Sequence, residues 1–476
     1  MGIMQNNLDM VNVRVNTAEK LTKQLMFKRV GEDKRKLVVS SNWLPLVDFE
    51  AGQPTVESSL GENMGIEVRR VYDLLDAPMK TKMVYSRTYP NRKNKPFETL
   101  LDISKQELLR KSFPANCERV HVTFRQGVIT IVPLTTKQQD AITNAKIATD
   151  KFSVFAALTS GVDIHSMQKN GCTVKSVLEY RPQEARDKTD FTETGVLTVL
   201  ANCGTIKRLY NEDINFINAQ SLADDHKADP CVIFSASPQC DDYSNVKANK
   251  LKVDSLTDLS SSIDMSYDLL RIVDSLSPPT ALFENVTGWL KSDGYKMLSL
   301  RMRRWGYTEH LIKADCRDFG GLTSRVRAYA FFTALPSEFS WEAPVDRNKT
   351  PIWDLLGEEL ISQCRNVSSC KAITDGLACG RLRVITKESL HAPSILKSQN
   401  RQAKDSCVLF DGEKYLFPTE KVMRILMGID DSFDLNAVSG TIASEQIGQS
   451  VDMPLHDMVM RSVTKHIDAF FASIGK

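Results

Sequence analysis

The chain contains no long hydrophobic run, no Cys-x-x-Cys pair and almost no net charge. Its apolar segments are all far shorter than a membrane span, so we expect no membrane partner. The 10 cysteines lack the spacing of a standard zinc site and follow no apolar leader, which favours reduced thiols in the cytosol and no bound metal. The formal net charge is only +2, so a polyanionic partner would have to bind at local basic patches.

Length and composition leave room for several domains. A chain of 476 residues, 42% of them hydrophobic, can fill two or three cores. The sequence pattern divides it into a β-rich module at 1–140, an α/β domain at 147–335 and 416–476, and a small inserted domain at 336–415. Strands that alternate with helical stretches such as 261–276 predict a sheet whose site lies at the carboxyl ends of its strands.

A cysteine stands just after an apolar segment. Residues 231–234 predict a buried strand, and Cys240 follows in the segment Ser237-Pro238-Gln239-Cys240. A thiol at the mouth of a strand can be a nucleophile, although a single cysteine in such a place is more often an inert buried side chain. Other residues must therefore decide between the two roles.

A carboxylate and two guanidinium groups follow Cys240 in chain order, at Glu284, Arg325 and Arg327. The set suits a pyrimidine ring, because C5 of that ring is too electron-poor to attack a methyl donor until a thiolate adds to C6. Cys240 would add to C6, and Glu284 would share a proton with N3. Arg325 or Arg327 would hold O2. For any one of these residues alone, a surface ion pair is the simpler interpretation.

From about residue 151 to the C-terminus, the chain resembles the cytosine-5 DNA methyltransferases. Five segments match the family's motifs in the family's order: 240–244, 284–286, 318–327, 416–428 and 446–451. The resemblance implies a Rossmann-like, S-adenosylmethionine-dependent sheet and a covalent mechanism in which Cys240, Glu284, Arg325 and Arg327 are catalytic. It also implies double-stranded DNA as the partner, a cytosine flipped out of the helix, and a cytoplasmic, nucleoid-associated protein of a prokaryote or phage.

A strand that runs into a small-residue turn begins this region. Small side chains let a ligand approach the backbone, and a second strand ends at Glu179, where a carboxylate can bind both ribose hydroxyls. An ordinary strand-to-helix turn is the alternative. The resemblance implies that the ligand is S-adenosylmethionine and that it is held by Phe155, Gly161, Glu179, Tyr180, Thr205, Ile206, Gln449 and Val451. Because Thr205 stands where the family has an aspartate, the adenine-side carboxylate would be missing.

The chain departs from the family at several motif positions. Ala157 and Thr159 replace glycines in the cofactor turn, and Gln449 replaces an asparagine. Gln239 and Asp241 flank the nucleophile, where an acidic neighbour disfavours the thiolate. Two hypotheses follow: an active but divergent methyltransferase, or a catalytically weak or silent DNA-binding regulator with a methyltransferase fold.

The first 140 residues contain an internal repeat at an offset of 64 residues. Five apolar residues recur in the second copy: Leu37, Val39, Leu44, Phe49 and Val56 match Leu101, Ile103, Leu108, Phe113 and Val120. Each copy predicts a strand, a turn of helix and a hairpin, so a tandem copy could pack as an internal pseudo-dimer. The second copy resembles swapped-hairpin DNA-binding proteins of the AbrB and SymE type. A scaffolding module, or self-association through it, is the alternative.

The inserted domain at 336–415 occupies the position of a target-recognition domain, which would contact the groove and phosphates while the base is flipped. Two basic segments, 92–95 and 301–304, are candidate phosphate contacts. Each is equally consistent with a solvated face.

Overall fold

The structure is a computed structural model that describes residues 2–4, 13–15, 18–73, 81–91, 97–181, 193–244, 249–257 and 261–476. The basic segment 92–95 lies outside the described residues. The chain forms two compact units, Met1–Thr136 and Lys137–Lys476. The second unit begins at Lys137 because the helix that starts there buries Ala141 and Ala145 in this unit's cores.

The first unit is built mainly from short strands. These are β1 (Gly2–Met4), β2 (Val13–Val15), β3 (Leu21–Met26), β4 (Lys28–Arg29), β5 (Arg35–Ser40), β6 (Pro54–Gly61), β7 (Gly65–Arg70), β8 (Lys82–Met83), β9 (Tyr85–Thr88), β10 (Phe97–Ile103), β11 (Arg119–Arg125) and β12 (Val128–Leu134), with helix α1 (Gln106–Ser112). A 3-10 helix, Pro45–Val47, occupies the place of α1 in the first copy. The larger sheets run in the orders β4-β5-β10-β9 and β3-β11-β12-β7-β6-β8.

Strand pairing confirms the predicted repeat. Strand β5 pairs antiparallel with its own copy, β10, and places Leu37 opposite Ile103 and Val39 opposite Leu101. The hairpin β6–β7 and its copy β11–β12 have the same register at the repeat offset. Strand β3, ahead of the first copy, pairs with β11 of the second, and β8, ahead of the second copy, pairs with β6 of the first. The two copies therefore exchange strands about a local pseudo-two-fold axis and share one apolar core.

The second unit alternates strands and helices over its first half. Its elements are α2 (Lys137–Ile147), β13 (Ser153–Ala157), α3 (Val162–Lys169), β14 (Thr173–Leu178), α4 (Thr194–Asn202), β15 (Arg208–Tyr210), α5 (Ala219–His226), β16 (Ile233–Ala236), α6 (Asn249–Thr257), α7 (Met265–Leu276), β17 (Thr280–Val286), α8 (Asp293–Arg304), β18 (Thr308–Asp315) and β19 (Val326–Thr333). The remainder contains α9 (Ile352–Ser362), β20 (Arg365–Asn366), α10 (Lys371–Ala378), β21 (Arg383–Ile385), β22 (Cys407–Phe410), β23 (Tyr415–Phe417), α11 (Glu420–Leu426), α12 (Gly440–Gln449) and α13 (Met453–Ser473).

A seven-stranded sheet of order β15-β14-β13-β16-β17-β19-β18 forms the centre of this unit. The first five strands are parallel, and β19 and β18 are antiparallel to their neighbours. Strands β13 and β16 are buried along their whole length, as expected for parallel strands covered by helices on both faces. The predicted α/β class is confirmed, and the parallel strands end together at one edge of the sheet.

Residues 352–417 form a smaller region with a four-stranded sheet of order β20-β23-β22-β21. Its apolar residues do not form a wholly separate core. Ile352 and Leu409 belong to the same buried cluster as Val422, Ile447 and Val162 of the larger part. The predicted limits of 336–415 therefore cut through strand β23, which continues to Phe417.

Candidate active site

The segment that carries Cys240 is a tight turn just beyond strand β16. The backbone N–H groups of Tyr243 and Ser244 both donate to the carbonyl of Cys240, at 3.0 and 2.9 Å. The Asn285 amide donates to the carbonyl of Pro238 at 2.9 Å, and Gly288 lies against the turn from the other side. A Cβ at Gly288 would lie 2.3 Å from the Tyr243 carbonyl oxygen, so only glycine fits there. The thiol is held half-buried at the carboxyl edge of the sheet.

Glu284 and Arg327 lie on neighbouring antiparallel strands. In the register of β17 and β19, Glu284 is opposite Tyr329 and Val286 is opposite Arg327, so Glu284 and Arg327 are diagonal neighbours on one face. Their Oε1 and Nε atoms are 3.0 Å apart, and each side chain is only 14% exposed. Asn285, the residue after Glu284, donates to the Cys240 turn at Pro238, so the pair lies beside that turn.

Arg325 has a different environment from Arg327. Its guanidinium is buried and donates to four backbone carbonyls, those of Ile395, Gly448, Gln449 and Ser450, at 2.7 to 3.4 Å. Burial lowers the pKa of Arg325 to about 10. The side chain thus ties the end of α12 and the segment at 395 to the start of β19, while Arg327 contacts the carboxylate.

Burial and local charges set the ionisation of the reactive groups. Burial is the main cause that raises the pKa of the Cys240 thiol, Asp241 and Glu284 raise it further, and Arg327 and Arg325 lower it. Burial also raises the pKa of the Glu284 carboxyl, against the two arginines. A raised pKa makes a carboxyl easier to protonate, and its protonated form can act as a donor.

The turn after strand β13 faces Glu179 at the end of β14. Leu158 and Gly161 both have left-handed backbone conformations, with φ of 56° and 93°. The Thr159 N–H donates to Glu179 Oε2 at 2.7 Å, and burial raises the pKa of the Glu179 carboxyl to about 8. The turn and the carboxyl predicted to bind a cofactor are thus in direct contact.

Helix α12, which carries the last predicted motif, packs beside this turn. Glu445 lies 3.8 Å from Arg181, two residues beyond Glu179, and the Thr198 hydroxyl donates to Gln446 at 2.9 Å. Gln449 is exposed at the end of α12, and Val451 is buried in the core. Tyr180 is partly buried at the end of β14.

Three predicted cofactor residues occupy other places. The Phe155 ring is fully buried between Tyr210, His226 and Phe234, so its side chain belongs to the core. Thr205 and Ile206 precede strand β15 at the amino edge of the sheet, where the Thr205 hydroxyl donates to the Val174 carbonyl.

The carboxyl end of β15 instead leads to Asp213 and Ile214. The Asp213 carboxylate accepts the Asn215 N–H at 2.9 Å, and Ile214 is buried. An Asp-Ile pair thus follows the short strand β15 at the carboxyl edge, whereas the sequence prediction uses the segment before this strand.

The described residues show no disulfide, no metal-binding cluster and no helix able to span a membrane. All 10 cysteines are free thiols. Within the described ranges, no group of three or more His, Cys, Asp or Glu side chains could hold a metal ion. None of the described helices combines the length and hydrophobicity that a bilayer crossing requires.

Comparison with known proteins matches a family model to part of the chain. A family model described as C-5 cytosine-specific DNA methylase matches residues 201–378. That range contains Cys240, Glu284 and both arginines. Residues 201–378 thus match a C-5 cytosine-specific DNA methylase domain. None of the curated proteins matches the chain.

Solved structures share the fold of the methylase domain. The Entamoeba histolytica methyltransferase EhMeth is 14% identical with a TM-score of 0.52, over 68% of this chain and 99% of that one. A mutant of Spodoptera frugiperda DNMT2 is 14% identical with a TM-score of 0.50, over 66% of this chain and 99% of that one. At this identity the likeness shows the fold alone.

Enzymes with this domain use S-adenosylmethionine, and the residues present fit that cofactor. Glu179 places a carboxyl at the end of β14, where a ribose diol can be bound. Leu158 to Gly161 form a strand-to-helix turn, and Gly161 adopts the positive φ that glycine favours. The methylase domain therefore has both a cofactor edge and a cysteine turn at the carboxyl ends of its strands.

Proposed function

We propose that the chain methylates C5 of a cytosine in double-stranded DNA through a covalent adduct with Cys240. The observation that carries the proposal is the Glu284–Arg327 ion pair beside a half-buried cysteine, at the carboxyl edge of a methyltransferase-like sheet. A DNA methyltransferase function in general is supported by the family match.

The first step forms a bond between Cys240 Sγ and C6 of a cytosine flipped out of the helix. The electron pair of the C5–C6 bond shifts toward C5 and N3, and Glu284 supplies a proton or a hydrogen bond at N3. Arg327 holds Glu284 and offers N–H donors for O2. S-adenosylmethionine, when bound, supplies the methyl group that C5 accepts. Loss of the C5 proton and of the thiolate then restores the aromatic ring.

The cofactor would be held by a set that differs in part from the sequence prediction. We assign Gly161, Glu179, Tyr180, Gln449 and the backbone around Val451 to it, because they lie at or beside the carboxyl edge. Asp213 would supply the adenine-side carboxylate, in place of Thr205 and Ile206. Phe155 would contribute through its backbone only, since its ring is enclosed.

The test compares wild type with Cys240→Ser, which differ only at the reacting sulfur. Transfer of labelled methyl to DNA should be lost in Cys240→Ser, while DNA binding persists because the serine leaves the surface unchanged. Full activity in Cys240→Ser would contradict the proposal.

A silent DNA-binding regulator is the second candidate, because Thr159 replaces a glycine in the cofactor turn and Asp241 opposes ionisation of Cys240. Calorimetry with S-adenosylmethionine separates the two. Saturable binding supports the enzyme, and its absence alongside DNA binding supports the regulator.

For the first unit we propose a DNA-binding role. Two of its short strands carry basic residues: β4 consists of Lys28 and Arg29, and β9 contains Arg87. All three side chains are exposed. Exposed positive charge suits a duplex, whose backbone is a polyanion.

The test removes charge from strand β4 in the full chain. Lys28→Gln with Arg29→Gln should weaken DNA binding and reduce its salt dependence by about one counterion per charge removed. The control, Lys20→Gln with Lys34→Gln, removes the same charge from exposed positions outside strand β4. An equal loss in both variants would remove the proposal. Self-association of this unit stays a prediction, for which light scattering is the measurement.

A further inference from the structure

The cofactor turn of this chain is stabilised by side chains rather than by a run of glycines. Leu158 has φ of 56°, a conformation that a residue with a Cβ adopts only when its surroundings impose it. Gly161 fits against Phe433 and Val199, where a Cβ would lie 3.4 and 3.6 Å from their side chains. Thr159 lies between Leu158 and Gly161 and makes most of the hydrogen bonds in this turn.

Thr159 connects both ends of the turn to carboxyl groups. Thr159 is only 3% exposed. The hydroxyl donates to Asp163 Oδ1 in the first turn of α3 and accepts the Gly161 N–H at 2.9 Å. The Thr159 N–H donates to Glu179 Oε2 at 2.7 Å. One residue thus joins Asp163, the turn and Glu179.

Asp163 lies in the first turn of α3, directly after the cofactor turn. It is 4% exposed, and its carboxyl is bonded to the Thr159 hydroxyl. Asp163 bonds the Thr159 hydroxyl and Glu179 bonds the Thr159 N–H, so the two carboxyls flank the same residue.

We propose that the Thr159 hydroxyl and the Asp163 carboxyl are a positioning pair that holds Glu179 in place for the ribose of the methyl donor. The inference rests on the proposed function, because it needs Glu179 to bind a ribose diol. In this chain, hydrogen bonds of the Thr159 hydroxyl fix the conformation of the cofactor turn. In a glycine-rich turn, the conformational freedom of glycine allows the turn to form. Thr159 is accordingly a positioning residue and touches no reacting atom.

The experiment measures binding of S-adenosylmethionine and S-adenosylhomocysteine by calorimetry with the full chain. Thr159→Val keeps the shape and removes the hydroxyl, and it should weaken binding about tenfold, as expected for a lost buried hydrogen bond. Thr159→Ser keeps the hydroxyl and should stay within about twofold of wild type. Both ligands carry the same ribose, so both should lose affinity equally.

A double-mutant cycle tests the link to Glu179. Because the pair acts through that carboxyl, Thr159→Val should have little further effect in a Glu179→Gln background. Additive losses would mean that Thr159 acts independently of Glu179 and would overturn the inference. Asp163→Asn should reproduce the loss seen in Thr159→Val, since it weakens the same hydrogen bond. Thermal unfolding of each variant checks that the losses are not due to misfolding.

Other outcomes separate the inference from the function on which it rests. Unchanged binding in Thr159→Val, or tighter binding in Thr159→Gly, would show that the hydroxyl is irrelevant or obstructive, and would overturn the inference alone. A loss confined to S-adenosylmethionine would place the effect at the sulfonium and contradict a ribose role. If wild type bound neither ligand, the proposed function would fail together with the inference.

Discussion

Glu284 and Arg327 form an ion pair, 3.0 Å between Oε1 and Nε, across two antiparallel strands of the methylase domain. The pair lies where a cysteine turn meets the carboxyl edge of the sheet. Its chemistry follows from burial, which raises the pKa of the Glu284 carboxyl, and from the arginine, which keeps the carboxyl oriented.

Removing Arg327 should damage both activity and stability. Arg327→Met leaves the Glu284 carboxyl buried without its cation, which should cost about 3 kcal/mol of unfolding free energy and reduce methyl transfer by about 100-fold or more. Arg325→Lys is the comparison, because Arg325 binds only backbone carbonyls among the described contacts. It should lower the unfolding midpoint while activity per folded molecule stays within about tenfold. Equal losses of activity in the two folded variants would show that the two arginines do not have separate roles.

Changing Asp241 should make Cys240 more reactive. Asp241 raises the pKa of the thiol by charge repulsion, so Asp241→Gln should lower that pKa and increase the thiolate fraction at neutral pH. We expect alkylation of Cys240 by iodoacetamide at pH 7 to accelerate by about two- to tenfold. Because the chain has 10 cysteines, the reaction at each of them is measured by peptide mapping. Alkylation of exposed Cys379 in the same samples is the internal control. An unchanged rate at Cys240 would mean that burial alone controls the thiol.

A methyl group at Gly288 should displace the cysteine turn. The Cβ of Gly288→Ala would lie 2.3 Å from the Tyr243 carbonyl oxygen, so the turn or the 3-10 helix Thr287–Lys291 must move. We expect methyl transfer to fall about 100-fold, since small displacements of reacting groups are costly, and stability to fall by about 1 to 3 kcal/mol. Gly204→Ala is the matched control, because no atom lies within 4 Å of its added Cβ. Wild-type activity in Gly288→Ala would contradict the close contact.

Stability should depend on pH through Glu179. The pKa of this carboxyl is raised from 4.5 to about 8 in the folded chain, so folding favours the protonated form. That contribution is complete below pH 4.5 and is lost as the pH rises toward 8. The side chain introduced by Glu179→Gln cannot ionise. The unfolding temperature of this variant should therefore rise relative to that of wild type as the pH increases from 6 to 9. A difference that is constant across this range would show that Glu179 is already ionised in the folded state.

Motif order predicted which side chains the structure places at one edge of the sheet. Cys240, Glu284 and Arg327 belong to segments whose chemistry is carried by residue type and by position relative to a strand end, and the structure brings them to one edge of the sheet. The repeat in the first unit was also readable, because apolar residues at a fixed offset must fill a shared core. The exchange of strands between the copies was not, since pairing partners are not encoded locally.

The cofactor edge was harder to predict. Thr205 follows Gly204 where the family has Gly-Asp-Ile, but it precedes the three-residue strand β15, whereas Asp213 follows that strand. Phe155 was expected to face a ligand, but the other aromatic residues that enclose its ring are distant in sequence. The contact between Thr159 and Asp163 depends on a backbone conformation at Leu158 that no propensity predicts.

Covalent trapping on DNA that contains 5-fluorocytosine tests the central claim most directly. Fluorine at C5 cannot leave as a proton does, so a methylated adduct with Cys240 should accumulate when S-adenosylmethionine is present. We predict a stable protein–DNA complex with wild type, mapped to Cys240 by mass spectrometry, and none with Cys240→Ser. A wild-type chain that binds both the DNA and S-adenosylmethionine yet forms no adduct, or an adduct that persists in Cys240→Ser, would contradict the assignment of Cys240 as the nucleophile.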